Sequence, residues 1–353
     1  MNHEPLISII IPTYNRAAIL PTSIQSVIDQ TYQNWELLVV SDRCSDHTQE
    51  VVESYCSSDS RIRFLVNDRT KGVGGARNCG LMNAQGACIA FLDSDDQWYP
   101  HHLKDSIHMM NESRADICFA LWVERHESKN YKSFDNELEQ SLLREMKEQY
   151  ETLGDGIIIE KGLLERFIIN PRHFYCISTM VFKKELLHNF GLFNEQFSIG
   201  EDTSFMIQFF DHCRIALITK YHLTYNQSPD SVYLFCDRRL LDPDTLHLQK
   251  ELFDKIEFVG LQTIKMRLDM QALVKRSPQL DNQKKLHLYT NYNLARQYYT
   301  LSYINKPNKR KALRYCFLSM RHNVNLFNIL LMFHILFIRG KGNNFLKRPL
   351  NLW

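Results

Sequence analysis

After Asp281 the chain contains no aspartate or glutamate. The stretch from there to Trp353 carries thirteen Lys or Arg, so a net charge of +2 for the whole chain leaves −11 on residues 1–281. An acidic body with a basic tail calls for an anionic partner of the tail. No nucleic-acid-binding signature accompanies the basic residues, so an anionic membrane surface is the expected partner and nucleic acid is not. The nine cysteines include no CxxC pair and no zinc-ligand spacing. No secretory leader precedes them, because Met1-Asn2-His3-Glu4-Pro5 runs straight into a strand-like segment. Reduced thiols in a cytoplasmic protein, peripheral at the inner face of the membrane, are therefore expected. There is no internal repeat, no low-complexity linker and no apolar run long enough to span a bilayer. Leu326–Ile338 is broken only by Asn328 and His334. At ~1.5 Å per residue it covers ~20 Å, short of a ~30 Å hydrocarbon core. It is read either as a buried helix closing a C-terminal subdomain or as an interfacial helix flanked by basic residues.

What is present suits a globular enzyme. With 44% hydrophobic and 23% charged residues, a sizeable core is available. Strand and helix signals alternate over the first hundred residues: strands at Leu6–Pro12, Trp35–Ser41, Ile62–Val66 and Cys88–Leu92, helices at Ala17–Gln30, Asp46–Cys56 and Gly75–Ala84. That order predicts an α/β fold with a mostly parallel sheet flanked by helices. Ligands of such sheets bind beyond the carboxyl ends of the strands. Residues 124–156 are polar and rich in Glu and Lys, as in an inserted helix or surface loop. Phe174–Phe182 reads as a strand, Gly200–His212 as a helix, and Asp244–Leu280 as one or two amphipathic helices. A composition shift near residue 240 divides a catalytic domain, 1–240, from a helical basic region, 241–353. Within the first, 1–100 and 101–240 form two halves.

The most informative residues are Asp93-Ser94-Asp95-Asp96, which leave the fourth strand together. Three like charges this close repel one another unless a cation or water lies among them. Oxygen-only ligands suit hard Mg²⁺ or Mn²⁺, which bind through one or two carboxylates plus substrate phosphates. Thr13-Tyr14-Asn15-Arg16 and Asp42 end the first two strands; a ring for stacking, a cation for phosphate and a carboxylate for a base or ribose are all there. Asp46 is expected simply to cap the following helix. Gly72-Val73-Gly74-Gly75-Ala76-Arg77 superficially matches a dinucleotide fingerprint, but Arg77 replaces the third glycine and the loop follows a later strand. Glu201-Asp202 starts a helix; one carboxylate there is favoured by the helix dipole, and the other has the separation from the metal cluster that a general base needs.

Taken in order, Pro12-Thr13-Tyr14-Asn15-Arg16, Asp42 in its Ser-Asp-x-x-Ser-Asp turn, Ala76-Arg77-Asn78-x-Gly80, Phe91-Leu92-Asp93-Ser94-Asp95-Asp96 and Gly200-Glu201-Asp202 resemble the family-2 inverting glycosyltransferases of GT-A fold, over roughly residues 5–235. The resemblance implies that Pro12, Thr13, Tyr14, Arg16, Asp42, Arg77, Asp93 and Ser94 lie against a nucleotide, that Asp95 of a DXD motif ligates Mg²⁺ or Mn²⁺ with Asp96 in support, that Asp202 is the base and that Glu201 orients it or the acceptor. It implies a nucleotide-sugar donor, UDP-linked in first place, and a glycan or lipid-linked acceptor in cell-surface polysaccharide synthesis. Tyr225–Val232 resembles the family's loop over the donor diphosphate. Two departures stand out. Arg43 replaces a glycine of the turn after the second strand, and Asn226 and Gln227 stand where basic residues are frequent. A sugar-nucleotide nucleotidyltransferase and a non-catalytic nucleotide-sugar binder are the alternatives. The first would carry a glycine-rich basic loop after the first strand, where Pro12–Arg16 stands; retention of the carboxylates argues against the second.

Overall fold

The structure, a computed structural model, describes residues 4–125, 130–132, 135–170, 174–226, 246–277 and 282–337. The chain divides into two compact units, Met1–Ser228 and Pro229–Trp353. The composition shift near residue 240 lies outside the described residues.

The first unit is built on β1 (Ile7–Thr13), α1 (Leu20–Ile28), β2 (Trp35–Ser41), α2 (Thr48–Ser58), β3 (Ile62–Val66), α3 (Val73–Asn83), β4 (Cys88–Phe91), β5 (Gln97–Trp98), α4 (His102–Ser113), β6 (Ile117–Arg125), β7 (Asn130–Lys132), α5 (Glu137–Gln149), β8 (Glu151–Leu153), β9 (Gly156–Ile159), α6 (Leu163–Ile169), β10 (Val181–Lys183), α7 (Leu187–Phe190), α8 (Glu201–Met206) and β11 (Ile215–Asn226). The strands form a sheet in the order β3-β2-β1-β4-β10-β6-β11-β9-β8, with β5 paired to β11 and β7 to β6. The β3-β2-β1-β4 half is wholly parallel. Beyond it the sheet is mixed: β10 runs antiparallel between β4 and β6, β11 is parallel to β6, and β9 is antiparallel to β11.

All seven residues of both β1 and β2 are buried, which is why their sequences are near-continuous apolar runs rather than alternating ones. Pro12 is tolerated in this inner strand because pairing of β1 with β4 ends at Ile10 and Phe91, so no ladder bond on that side needs its missing N–H. Helix α3 lies hard against β1: a Cβ on Gly80 would sit 2.5 Å from Ile10 Cγ2. The 124–156 segment is neither one helix nor one loop; β7, α5 and the β8 strand of an edge hairpin all fall within it. Phe174–Phe182 is likewise not one strand. Ile177–Thr179 forms a 3₁₀ turn, and only Val181–Lys183 joins the sheet. At the start of α4, the imidazoles of His102 and His222 are buried, with their Nδ1 atoms 3.2 Å apart. Burial holds His222 at about 3, helped by His101 and Lys220, so that ring is neutral.

The second unit is helical: α9 (Lys250–Arg276), α10 (Gln283–Ile304), α11 (Lys309–His322) and α12 (Leu326–Phe337). Leu294, Tyr298, Leu301 and Ile304 of α10 meet Ile256 and Ile264 of α9. The buried Glu257 carboxylate accepts from Asn305 at 2.9 Å and from Lys311 Nζ at 2.5 Å, tying α9 to α11 and to the end of α10. In α12, Leu331 and Ile335 are buried with Ala312 of α11 and Tyr303 of α10, and Asn328 accepts from the Ser319 hydroxyl at 3.1 Å. Leu330, Phe333 and Leu336 remain exposed on the same helix. The described side chains of the apolar run thus divide between core and surface. Among the described residues no helix is long and apolar enough to cross a membrane.

Candidate active site

The singled-out motifs meet at the carboxyl ends of the parallel strands. Thr13 closes β1, Asp42 follows β2, and Asp93–Asp96 follows β4. Their convergence there comes from the parallel pairing itself. Thr13 is buried, its carbonyl accepts the Asp42 N–H at 2.7 Å, and its hydroxyl has no partner among the described residues. Tyr14 is 48% exposed, with Lys71 Nζ 4.7 Å from its ring centroid. Arg16 NH2 lies 3.9 Å from Asp95 Oδ2. Pro12 and Ser94 are buried.

Asp42 is strongly engaged. Its carboxylate accepts from Asn67 Nδ2 at 2.6 Å and from the Gly72 N–H at 2.9 Å, pinning the loop before α3. Arg43, in place of the family's glycine, keeps a left-handed turn, with φ 63°, and donates to the Arg69 carbonyl at 2.8 Å. That conformation costs a non-glycine residue about 1–2 kcal/mol. Asp46 does not occupy the N-cap position of α2, which is His47; its carboxylate accepts from the Thr48 N–H and from the Ala17 N–H, joining the loops after β1 and β2. Gly75 answers to packing, since a Cβ there would collide with the Thr70 carbonyl oxygen, and Gly72 to its φ of 132°.

At the centre sits Arg77, only 2% exposed. It donates from NH2 to Asp93 Oδ1 at 2.7 Å and from NH1 to Glu201 Oε1 at 2.8 Å. One guanidinium therefore ties the acid turn after β4 to the start of α8. Burial opposes its charge, but Asp93, Glu201 and Asp202 outweigh that and push its pKa up. At Glu201, burial and then the Asp202 charge outweigh Arg77 and raise the carboxyl to about 7. Asp95 is raised by burial and by Asp93, against Arg16. Asp96 is raised well above the ordinary value by burial, Asp93 and Asp95. Its Oδ1 accepts the Asn226 N–H at 3.1 Å, while Oδ2 is buried with no hydrogen-bond partner among the described residues. Carboxylates crowded at a strand end, with only oxygen donors, fit a hard divalent cation.

Residues 8–190, just over half of the chain, match the glycosyl transferase family 2 model. The chain belongs to that family. A family relative, the UDP-Glc:alpha-D-GlcNAc-diphosphoundecaprenol beta-1,3-glucosyltransferase WfgD of Escherichia coli, is 39% identical over 172 residues, covering 48% of this chain and 64% of the relative. The matched stretch is thus less than two thirds of that relative's length. Among solved structures, S. aureus TarS 1–349 in complex with UDP-GlcNAc superposes with TM-score 0.55 at 16% identity, over 93% of this chain and 90% of that one. The mannosyltransferase PcManGT of Pyrobaculum calidifontis, in complex with GDP-Man and Mn²⁺, superposes with TM-score 0.52 at 16% identity, over 94% of this chain and 79% of that one. At these identities the likeness establishes the fold, which is the α/β fold with a helical C-terminal region that the motifs implied.

Glu201 and Asp202 lie beyond the matched residues of this family-2 chain, so their place in the site rests on the Arg77 bridge. Three further residues support the site: Asn226, from the start of the Tyr225–Val232 loop, and Ser178 and Glu195, which lack a motif of their own. Asn226 joins β11 to the acid turn, donating also from Nδ2 to the Asp95 carbonyl at 2.7 Å. The Ser178 carbonyl accepts from Trp98 Nε1 at 2.6 Å, and its hydroxyl accepts the Asp93 N–H at 3.2 Å. Burial acts to raise the Glu195 carboxyl, but donors on Asn78, at 2.8 Å, on Thr70 and on Arg69, at 2.5 Å, bring it down to about 2. Only the start of the Tyr225–Val232 loop is described; residues 227–232 lie outside the described residues.

Proposed function

We propose that this chain is an inverting glycosyltransferase that moves a sugar from a nucleotide-sugar donor, a UDP-sugar in first place, to a hydroxyl of a lipid-linked glycan acceptor in cell-surface polysaccharide synthesis. The observation that carries the proposal is the Arg77 bridge, which holds the acid turn and the Glu201-Asp202 pair in one site. The acceptor named for WfgD, a diphosphoundecaprenol-linked sugar, supports the lipid-linked class.

In this reading the Asp202 carboxylate takes the proton of the acceptor hydroxyl. The acceptor oxygen bonds to the anomeric carbon from the face opposite the diphosphate, the bond from that carbon to the diphosphate oxygen breaks, and the nucleoside diphosphate leaves with the electron pair. One displacement inverts the anomeric configuration. Glu201 anchors Arg77 and so fixes the position of its neighbour Asp202. Thr13, whose hydroxyl has no partner among the described residues, Tyr14, with its exposed ring, and Arg16 face the nucleotide side with Pro12, Asp42, Asp93 and Ser94. Arg77 acts on the nucleotide through Asp93. Asp95, with Asp96 in support, would hold Mg²⁺ or Mn²⁺. When bound, the cation supplies Lewis-acid neutralisation of the departing diphosphate.

The test is product analysis with a panel of nucleotide sugars, Mn²⁺ and a lipid-diphosphate-linked sugar acceptor. Release of nucleoside diphosphate coupled to glycosylated acceptor supports the proposal. Release of pyrophosphate would make the chain a nucleotidyltransferase, and no release with any donor would make it a binder.

Peripheral binding to anionic lipid belongs to the same reading. The exposed Leu330, Phe333 and Leu336 on α12, together with the excess of Lys and Arg after Asp281, support it. Co-sedimentation with anionic liposomes should be salt-sensitive and should be lost on deleting residues 304–353; binding that survives the deletion would refute this placement.

A further inference from the structure

Away from the acid turn, His101, Asp105 and His222 offer one ligand atom each, all within 4.8 Å of one another. We infer that these three side chains form a binding site for a single d-block divalent cation, Zn²⁺ in first place, that clips α4 to β11. His101 and Asp105 are four residues apart at the start of α4, so one helix face presents both. His222 comes from β11, and its side chain is fully buried. Its Nε2 has no hydrogen-bond partner among the described residues and stands 3.6 Å from Asp105 Oδ2, too long for a hydrogen bond. A buried, unpartnered nitrogen directed at a carboxylate suits a cation between the two.

The neighbouring ring allows the tautomer that the site needs. His222 Nδ1 lies 3.2 Å from His102 Nδ1, and one proton must lie between them. With that proton on His222, its Nε2 carries a lone pair toward Asp105 and His101. His102 then accepts through Nδ1 and fixes the His222 ring from behind, the outer partner that metal-bound imidazoles normally have. Two imidazole nitrogens and one carboxylate oxygen suit Zn²⁺ and are a poor set for Mg²⁺ or Ca²⁺. A tetrahedral site with ~2.0–2.1 Å bonds brings ligand atoms to about 3.3 Å apart. The half-exposed His101 and Asp105 side chains close that difference, and water takes the fourth position. The site differs from the acid turn in its residues and its donor chemistry. It would brace β11, the strand whose last residue, Asn226, donates to Asp96 and to the Asp95 carbonyl.

The test uses the purified full chain, stripped with chelator and dialysed into excess Mg²⁺. Titration calorimetry with ZnCl₂, repeated with CoCl₂ while recording visible absorption, reads stoichiometry and coordination. One equivalent of Zn²⁺ and an intense tetrahedral Co²⁺ band are expected. Loss of an outer partner costs ~10–100-fold in affinity, so His101→Ala and Asp105→Ala should each cost at least about 100-fold. Both residues are half-exposed, and an unchanged circular dichroism spectrum shows that the variants are folded. The inference is overturned by the absence of saturable Zn²⁺ binding, by binding that both variants retain, or by binding that Asp95→Asn abolishes and they do not.

Discussion

Replacing Arg77 by methionine keeps a long unbranched side chain and removes the charge that two carboxylates share. The wild-type guanidinium is buried; the Glu201 side chain is 9% exposed and that of Asp93 30%. Above about pH 7, where the Glu201 carboxyl is charged, removing one partner of a buried ion pair costs about 3–5 kcal/mol, because the charge left behind is uncompensated. Asp93 can recover some hydration, so the lower part of that range applies, about 3–4 kcal/mol. For a domain of 150–250 residues, 1 kcal/mol moves Tm by about 2–4 °C, so the first unit should melt about 6–16 °C lower. Tryptophan fluorescence is the right probe, since Trp35, Trp98 and Trp122 all lie in this unit. Adding Glu201→Gln to Arg77→Met removes one stranded charge and should recover part of the loss, by an interaction within ~0.5–3 kcal/mol. An Arg77→Met variant melting within about 2 °C of wild type, the shift expected of no more than ~1 kcal/mol, would refute the bridge as the element that joins the two motifs.

The raised carboxyl of Glu201 makes a second prediction with a definite sign. Its folded value, about 7, is above its ordinary 4.5, so the folded state holds the proton longer than the unfolded state does. Its contribution is full below about pH 4.5 and is lost as pH rises through about 7; wild type should lose stability over that window relative to Glu201→Gln, and parallel Tm–pH curves would contradict it. Gly80→Ala should lower Tm, since its Cβ would meet Ile10 Cγ2 at 2.5 Å and overpacking costs about 1–3 kcal/mol; an unchanged melt would mean that α3 and β1 are not so close. Asp95→Asn should abolish metal-dependent transfer without lowering Tm, because it neutralises a carboxylate whose charge burial and Asp93 already disfavour; a variant with wild-type turnover would remove Asp95 from the metal.

The legible parts of the fold were the local ones. Trp35–Ser41 forms a strand over the expected span, because a strand packed inside a parallel sheet spells itself as an apolar run; Ile62–Val66 also matches its expected span, as a half-exposed edge strand. The same rule fails at Phe174–Phe182. There burial comes from aromatic packing, Phe174 on Tyr175 and Tyr175 on Phe119, and the Ser178 carbonyl is needed by Trp98 rather than by a neighbouring strand. Insertion of β10 antiparallel between β4 and β6 is a long-range choice that no local pattern encodes. In the site, the acid turn is contiguous and so visible. The Arg77–Glu201 contact spans 124 residues, and the motif containing Arg77 pointed to a ligand rather than to a partner within the chain. Arg43 shows a related limit: the sequence shows only that a glycine of the turn is replaced, and the structure shows that the backbone there takes φ 63° and accepts the strain.

Base catalysis by Asp202 is the central step of the proposed reaction, and sugar transfer by purified Asp202→Asn tests it most directly, measured alongside donor binding by the same protein. General-base removal typically costs ~10²–10⁴-fold in rate. A loss of that size is expected, with nucleotide-sugar affinity kept and the melting curve unchanged. Transfer at the wild-type rate would contradict it and would send the search for the base elsewhere in the site.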